Sequence, residues 1–403
     1  MAMFVNMFDV DFIIAGAGPV GTVAALRLAK LGYSVAICEV NPDCSQDLRA
    51  STFHAPTLEM LDELGVMDSM IEKGLKSPLY HFRERQSGET IEFDLGELSG
   101  EIKFPYRLQC EQHVMASILL DSLENHSNVD VHFSSRVVHF EQDDQGVTVD
   151  IETAIEIKQL RAKYLIGADG GSSTVRKWMS LEFEGFTYPE RFLCLSTKRD
   201  LADDIENLAY VNYVSDPQEW LVLLRVPSVW RILVPTFEQQ SDEYLVSDDK
   251  KEQVMQRLVG DPNVKTEHRT IYRVHQRVVK KFNQGRVILV GDAAHLNNPL
   301  GGFGMNSGIH DAWNLCEKLE TCMEQGHDED LLDLYDRQRR TITHNFIQAQ
   351  TIKNKELLEA GSEVAHNLQL EKMRKVKADP VLRKAFLREQ AMYKSLEDAR
   401  QII

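Results

Sequence analysis

The sequence predicts an α/β plus antiparallel β chain, in which a Rossmann-like dinucleotide-binding domain carries an inserted β-sheet domain and ends in helices. Three observations predict this fold class. An apolar strand, a glycine-rich turn and a helix follow one another at the N-terminus, and two further strand-to-turn motifs occur at 164–176 and 285–315. Residues 183–272 contain several short strand patterns separated by Pro and Asp turns, which favours an antiparallel sheet.

The first motif is a predicted βαβ unit. Residues 9–38 have the pattern of a strand, a G-x-G-x-x-G turn, a helix and a second strand. In the turn, Gly16 permits the tight bend, Gly18 lets a pyrophosphate approach the backbone, and Gly21 lets the helix pack closely on the strand. Glu39 follows the second strand, where an acidic side chain can bind ribose hydroxyls. The sequence therefore predicts a dinucleotide site at this turn.

The motif at 285–315 has the order strand, acidic turn, glycine-rich loop and helix start. Asp292 falls at the C-terminal end of the strand, where open α/β sheets bind ligands, so it could accept a hydrogen bond from a ribitol or ribose hydroxyl. Gly301, Gly302 and Gly304 leave backbone N–H groups free to approach an anionic ring or phosphate at the helix N-terminus. A flavin would suit this loop, although the loop alone could equally be a plain connection.

The motif at 164–176 runs from an apolar strand into an Asp169-Gly170 turn and a Ser/Thr-rich helix start. With Arg49 and the Pro-x-Gly-Gly-x-Gly-Met-Asn segment after Asp292, the three ordered motifs resemble one known family. This is the class A, para-hydroxybenzoate hydroxylase-like family of single-component FAD-dependent aromatic monooxygenases. The resemblance covers about the first 340 residues.

The resemblance implies a role for each matched position. The ADP half of FAD would lie on the first glycine turn, Arg49 over the pyrophosphate, and Gln112 near the cofactor. Asp169 would serve both FAD and the nicotinamide donor. Asp292 would bind the ribitol side, and the backbone of residues 302–306 would face the flavin ring. The implied cofactor-binding set is Gly16, Gly18, Gly21, Glu39, Arg49, Gln112, Asp169, Gly170, Asp292, Pro299, Gly302, Gly304, Met305 and Asn306.

The activity that the resemblance implies is hydroxylation of a small phenolic or heteroaromatic acid. NADH or NADPH would reduce FAD, and O2 would then form a flavin C4a-hydroperoxide that transfers oxygen to the ring. Two positions depart from the family pattern, because Asn298 precedes Pro299 where two prolines are frequent and Phe303 stands where glutamine is frequent. Two alternatives are an FAD-dependent oxidoreductase of the same fold without oxygen insertion, such as a reductase or halogenase, and a non-catalytic flavin-binding protein.

The substrate side has several candidate residues. Strand alternation places Arg225 on an apolar face of the inserted sheet, where it would pair with a substrate carboxylate or phenolate or form an interdomain ion pair. Tyr210 and Tyr213 point to opposite faces, so at most one lines the pocket. His54 is either a proton acceptor near the ring or a structural histidine that caps the helix predicted near Pro56. The predicted catalytic or pocket residues are His54, Arg225, Tyr210, Tyr213 and Pro299.

The motifs also predict domain limits. The FAD-binding domain is expected to be discontinuous, and the C-terminal helices are expected to form a cap, a dimer element or a solvated tail. The predicted limits are 1–75, 102–182 and 273–330 for the FAD-binding domain, 76–101 and 183–272 for the substrate-binding sheet domain, and 331–403 for the helical region.

Composition agrees with this interpretation. The formal net charge of −17 argues against nucleic acid or an anionic membrane as a partner. The six cysteines form no C-x-x-C pair, which predicts a reduced cytoplasmic setting without disulfides or a metal. The first 26 residues contain no Lys or Arg, and no apolar run approaches the ~18 residues of a membrane span. We therefore expect a soluble monomer or homodimer without a signal peptide.

Overall fold

A computed structural model describes residues 7–44, 50–216, 219–236, 239–359 and 363–403. The strands are β1 Val10–Ala15, β2 Val35–Cys38, β3 Thr52–Phe53, β4 Leu75–Ser77, β5 Leu79–Glu84, β6 Thr90–Asp94, β7 Arg107–Gln109, β8 Val129–His132, β9 Arg136–Gln142, β10 Val147–Glu152, β11 Ile157–Gly167, β12 Phe183–Thr197, β13 Val211–Ser215, β14 Leu221–Arg225, β15 Trp230–Thr236, β16 His268–Val279, β17 Asn283–Gln284, β18 Val287–Leu289 and β19 His295–Leu296. The α-helices are α1 Pro19–Lys30, α2 Ala55–Glu63, α3 Met67–Lys73, α4 Gln112–Leu123, α5 Thr174–Trp178, α6 Asp242–Leu245, α7 Asp248–Val259, α8 Phe303–Gln325, α9 Glu329–Ile342, α10 Ala349–Leu358, α11 Glu363–Ala378, α12 Pro380–Gln390 and α13 Tyr393–Arg400.

The first sheet has the order β17-β18-β11-β1-β2-β8, and β10 and β9 continue from β11 as an antiparallel extension. β1 pairs in parallel with both β2 and β11, and β11 pairs in parallel with β18. Its central strands are buried on both faces, as the fully buried residues Phe12, Ile13 and Ile14 of β1 show. α1 packs against α4 and α8. This is the predicted Rossmann-like layer.

The second sheet has the order β19-β16-β12-β15-β14-β13-β5-β6 and is antiparallel except for the β5–β13 pair. One face packs on α7 through Val254 and Met255. The other face contributes to a separate core that contains Tyr213 and Leu300, so this face looks toward the loop after β19. The α/β plus antiparallel β fold class is therefore confirmed, whereas the domain limits stay a prediction.

A small third sheet has the order β3-β7-β4. The predicted site residue His54 directly follows β3 at the margin of this sheet. β3 and β7 are antiparallel with Thr52 opposite Gln109 and Phe53 opposite Leu108. Continued by one residue, this register brings His54 opposite Arg107.

The C-terminal helices pack on the second sheet. Met373, Phe386 and Leu387 share a core with Phe93 of β6. A π-helical segment at Thr343–Gln348 joins α9 to α10. Of the alternatives that the sequence leaves open, these contacts correspond to an intramolecular cap rather than a solvated tail. None of the helices in the described part of the chain is both long and apolar enough to cross a membrane.

Candidate functional site

The carboxyl ends of four parallel strands are level with one another. Ala15 of β1 is paired with Cys38 of β2 and with Gly167 of β11, and Gly167 is paired with Leu289 of β18. Each strand leads into part of a predicted cofactor motif. Because parallel strands with a common register end at one edge of the sheet, these parts lie along the same edge. The structure thus brings together the residues that follow these strands, namely Gly16, Glu39, Asp169 and Asp292.

The glycine turn has the geometry that its spacing predicts. Gly16 has φ 103°, and a Cβ there would lie 2.5 Å from the Ala168 carbonyl oxygen. A Cβ on Gly21 would lie 2.0 Å from the Gly16 oxygen, so any side chain would push α1 away from β1. Gly18, the N-cap of α1, has no atom of the described residues within 4 Å of an added Cβ. The turn is therefore closed on the protein side and open where a pyrophosphate would approach.

The three acidic residues differ in their local contacts. Glu39 is buried, and its Oε2 accepts a 2.9 Å hydrogen bond from the Ala17 N–H. Asp169 Oδ2 accepts from the Thr174 N–H at 2.7 Å, while the buried Oδ1 has no partner among the described residues. Asp292 is exposed in a 3-10 turn directly after β18. The unpartnered Asp169 oxygen is the group that a ligand hydroxyl would satisfy.

A buried charge network fixes the turn that carries Asp292. Asp311 of α8 accepts from the Gly291 N–H at 3.1 Å, from His295 Nε2 at 2.7 Å and from Arg339 Nε at 2.6 Å. Burial alone would raise the pKa of Asp311, but the charges and hydrogen bonds of His295 and Arg339 bring it below its ordinary value. α9 is thereby joined to the β18 turn, so this network positions the turn without facing the ligand itself.

The loop before α8 is shaped by two left-handed glycines. Gly301 has φ 102° and Gly302 has φ 69°, and the helix begins at Phe303. Pro299 is exposed and Met305 is partly buried. A Cβ on Gly304 would come within 3.2 Å of Asn297 Oδ1.

Asn306 connects this loop to β3. Its Oδ1 accepts from the His54 backbone N–H at 2.9 Å, and its Nδ2 donates to the Gly302 and Thr52 carbonyls at 2.7 and 2.8 Å. The Asn306 side chain is therefore committed to the protein, and only its backbone remains for the predicted cofactor contact.

His54 is the N-cap residue of α2, but its side chain forms no capping hydrogen bond, which corrects the capping hypothesis. Its Nε2 instead lies 2.8 Å from the Gly301 carbonyl oxygen, and its ring stacks on Phe303 at 5.3 Å. A carbonyl oxygen can only accept, so Nε2 carries the proton and Nδ1 is left as a buried acceptor with no partner in the described ranges of the chain. Burial lowers the pKa of His54 well below its ordinary value, and the charge of Arg107 lowers it further.

Sequence analysis missed a polar cluster beside His54. Arg107 is 1% exposed, and none of its three guanidinium nitrogens has a hydrogen-bond partner among the described residues. Its guanidinium carbon lies 4.3 Å above the ring of Tyr80, whose buried hydroxyl also has no partner in the described part of the chain. Gln109 Nε2 is unpartnered within the same residues. In the sequence this cluster is marked by an arginine in a strand of three residues. Such a strand is too short to show a hydrophobic periodicity, so the sequence could not predict on which face Arg107 lies.

Arg225 lies with Leu221 and Leu223, as alternation predicts, but that face packs on α7. Its guanidinium lies 5.9 Å from the Trp230 ring centroid. The core containing Leu300 belongs to the opposite face, so the structure contradicts the hypothesis that the Arg225 face covers the flavin. Phe303, in contrast to the partly exposed Arg225, is fully buried and packs with Phe346.

Of the two tyrosine candidates, Tyr213 is buried on the Leu300 side and stacks on Phe82 at 5.2 Å, whereas Tyr210 is 40% exposed. Gln112 opens α4, and its Oε1 accepts from the Ala50 N–H at 3.3 Å. Arg49 lies outside the described residues.

Comparisons with known proteins agree with this geometry. A family model described as an FAD binding domain matches residues 9–350. The para-nitrophenol 4-monooxygenase of Pseudomonas sp. (strain WBC-3) is 31% identical over 347 residues, which are 85% of this chain and 85% of that protein. The 6-hydroxy-3-succinoylpyridine 3-monooxygenase of Pseudomonas putida is 34% identical over 352 residues, 81% of this chain and 84% of that protein.

Solved structures of monooxygenases and hydroxylases are also similar to this chain. The p-nitrophenol 4-monooxygenase of Pseudomonas putida DLL-E4 superposes with a TM-score of 0.89 at 27% identity, covering 97% of this chain and 98% of that one. A ternary complex of aklavinone-11 hydroxylase with FAD and aklavinone has a TM-score of 0.78 at 25% identity, with 89% and 71% covered.

Proposed function

This chain belongs to the family of FAD-dependent aromatic hydroxylases, and we propose that it hydroxylates a phenolic or heteroaromatic acid with O2 and NADH or NADPH. The observation that carries the substrate side is the buried junction between the two sheets. There, Leu300 of the loop before α8 shares a core with Tyr80 and Tyr213 of the second sheet. Apolar walls with a few unsatisfied polar atoms are typical of sites for small aromatic ligands.

The described residues fit FAD. The open side of Gly18 would accept the pyrophosphate, Glu39 the ribose, and the unpartnered Asp169 oxygen a hydroxyl of the cofactor. Asp292 would bind the ribitol side. When bound, FAD supplies the redox chemistry: it takes a hydride from the nicotinamide donor and activates O2 for transfer to the ring.

The protein's own part is positioning, electrostatics and exclusion of water. His54 Nε2–H holds the Gly301 carbonyl and thereby the conformation of the loop at Gly302. The N-terminus of α8, which begins directly after that loop, favours negative charge on a ring edge placed against it. Asn354 of α10 donates to the Leu300 carbonyl at 3.3 Å, so the C-terminal cap supports the loop from the other side. A closed, dry junction protects reactive oxygen species from water.

The test is reconstitution with FAD followed by a panel of phenols and pyridine acids with NADH or NADPH and isotope-labelled O2. We expect ring-stimulated oxidation of the donor and one labelled oxygen atom in the product. Donor consumption that yields only hydrogen peroxide across the panel would favour an oxidoreductase without oxygen insertion. Flavin binding without any stimulated oxidation would favour a non-catalytic flavin protein.

A further inference from the structure

We propose that Arg107 and His54 form a binding site for the hydroxyl group of a phenolic substrate. In this site Arg107 donates to the phenol oxygen and His54 Nδ1 accepts its proton. The inference rests on the proposed hydroxylase function and names the group on the substrate that the enzyme recognises. It also assigns the substrate-binding cation to β7, in the small sheet, instead of to Arg225 of β14.

Arg107 has the environment of a residue that awaits an anionic or hydroxyl partner. The guanidinium is buried, its three nitrogens have no hydrogen-bond partner among the described residues, and it rests on the Tyr80 ring. The aromatic face stabilises the cation without using its N–H groups. Because a buried charge with unsatisfied donors is unfavourable, such an arrangement is expected where a ligand completes the hydrogen bonding.

His54 supplies the complementary acceptor. The β3–β7 register, continued one residue beyond Phe53, brings it opposite Arg107, whose charge acts on its ring, and the Gly301 carbonyl fixes its proton on Nε2. Burial and the charge of Arg107 hold the pKa of His54 low, so the ring is neutral and Nδ1 presents a lone pair. Burial also raises the pKa of Tyr80, so its hydroxyl stays neutral beside the guanidinium.

A phenolic hydroxyl matches this pair because it is a donor and an acceptor at one atom. On ionisation the phenol O–H bond breaks, the proton bonds to His54 Nδ1, and the electron pair stays on the oxygen beside Arg107. The burial and the Arg107 charge that lower the pKa of His54 in the free enzyme are offset in this state by the negative phenolate oxygen, which lies against both cations. The net charge of the buried site does not change, since the proton remains within it. The resulting phenolate is the more electron-rich ring and reacts more readily with electrophilic oxygen. A methyl ether of the same ring lacks the proton and loses the contact with Nδ1.

The experiment titrates the oxidised holoenzyme, without electron donor, with phenols and their methyl ethers, such as 4-nitrophenol with 4-nitroanisole and 3-hydroxybenzoate with 3-methoxybenzoate. Binding is followed by the flavin spectrum, and ionisation of bound nitrophenol by its visible phenolate band. We expect each phenol to bind about 10-fold to 100-fold more tightly than its ether. In Arg107→Met the preference should fall to within about twofold, and in Arg107→Lys it should return in part.

Arg225→Met is the matched control and should keep the preference for phenols. His54→Phe retains an aromatic ring against Phe303 but removes Nδ1, so bound nitrophenol should lose its phenolate band. Melting of substrate-free Arg107→Met distinguishes a binding role from a structural one, because removal of an unsatisfied buried charge should not lower the melting temperature.

Equal affinity for phenols and ethers in the wild type, or an undiminished preference in Arg107→Met, would overturn the assignment. Labelled product formed without a phenol preference would contradict the phenol-binding site at Arg107 and His54 but support the proposed hydroxylase function. Phenol-selective binding without labelled product would support the phenol-binding site but contradict the hydroxylase function.

Discussion

Gly18 and Gly21 are required for different reasons, Gly18 for the approach of a ligand and Gly21 for the packing of α1 on β1. A Cβ on Gly21 collides with the Gly16 carbonyl, whereas a Cβ on Gly18 has no atom within 4 Å in the part of the chain that the structure describes. Gly18 also has φ −71°, which any residue adopts without strain. We therefore expect Gly18→Ala to weaken FAD binding while the apoprotein melts as in the wild type. Gly21→Ala should lower both FAD occupancy and the melting temperature of the apoprotein.

Flavin fluorescence on dilution would measure FAD release in both variants, and circular dichroism would measure melting. Wild-type FAD affinity in Gly18→Ala would show that the pyrophosphate does not approach this position.

The stability of the folded chain should depend on pH through a buried histidine. His310 is buried, with Nε2 3.0 Å from Thr57 Oγ1, and burial lowers the pKa of His310 to about 3. An unfolded histidine titrates near pH ~6.5, so between these values the unfolded chain binds a proton that the folded chain does not. The free energy of unfolding should therefore fall as the pH decreases, by about 1.4 kcal/mol per pH unit for this one group.

Urea denaturation between about pH 6.5 and 5 would measure this slope. In His310→Gln the slope should be shallower, because unfolding then takes up about one proton fewer. Identical slopes for wild type and His310→Gln would contradict the depressed pKa.

At the scale of single residues, the sequence predicted positions better than orientations. The positions of Gly16, Glu39, Asp169 and Asp292 could be inferred because each follows a strand whose end is marked by a turn motif. For Arg225, alternation correctly gave its neighbours but could not decide which face of the sheet meets the flavin domain. That choice depends on how the sheet packs between α7 and the loop before α8, which no local pattern encodes.

Among the elements, long strands and helices were predictable and very short strands were not. β3 and β7 have two and three residues, too few to show a hydrophobic period, so the pair His54 and Arg107 could not be foreseen. Their pairing depends on residues about 50 positions apart in the chain. The cap formed by α10–α13 was predicted to be helical because this stretch is nearly free of Gly and Pro, but its docking surface required the structure.

The cap allows packing and ion pairing to be compared directly. On α12, Leu387 is fully buried in the core shared with the second sheet, while Arg383 forms a surface ion pair with Glu97 at 2.8 Å. We expect Leu387→Ala to lower the free energy of unfolding by about 2–5 kcal/mol because it opens a cavity. Arg383→Gln should cost less than about 1 kcal/mol because solvent screens the pair.

Urea denaturation of the holoenzyme would measure both differences. A cost for Arg383→Gln that equals that of Leu387→Ala would mean that the cap is held chiefly by charge. Raising the salt concentration should weaken the Arg383 pair only slightly and should not release the cap.

The two large sheets are interlocked in the whole molecule. The chain passes between them at several points: β5 and β6 form a hairpin, and β5 also pairs with β13, more than 100 positions later. The sequence could indicate this insertion because the nucleotide-type motifs stop and resume around strand-rich stretches. The sequence could not give the strand order β13-β5-β6. In that order the parallel pair β5–β13 joins the hairpin β5–β6 to the strands of the later stretch, β12–β16.

This interlocking predicts one cooperative unfolding transition rather than two. Ile102 and Tyr393 each pack against both the core of the first sheet and the core shared by the second sheet and the cap, so loss of either core exposes the other. The proposed FAD site lies at the edge of the first sheet, yet FAD should stabilise the whole chain, by about 2.7 kcal/mol at a free concentration 100 times its dissociation constant. Flavin fluorescence reports release at the first sheet. In a Trp178→Phe, Trp313→Phe variant, the remaining fluorescence of the buried Trp220 and Trp230 reports the second sheet. We expect both signals to change at the same temperature and both midpoints to rise with added FAD. If the tryptophan signal instead changed at a temperature unaffected by FAD, the two sheets would be independent units, and the shared contacts at Ile102 and Tyr393 would be too weak to couple them.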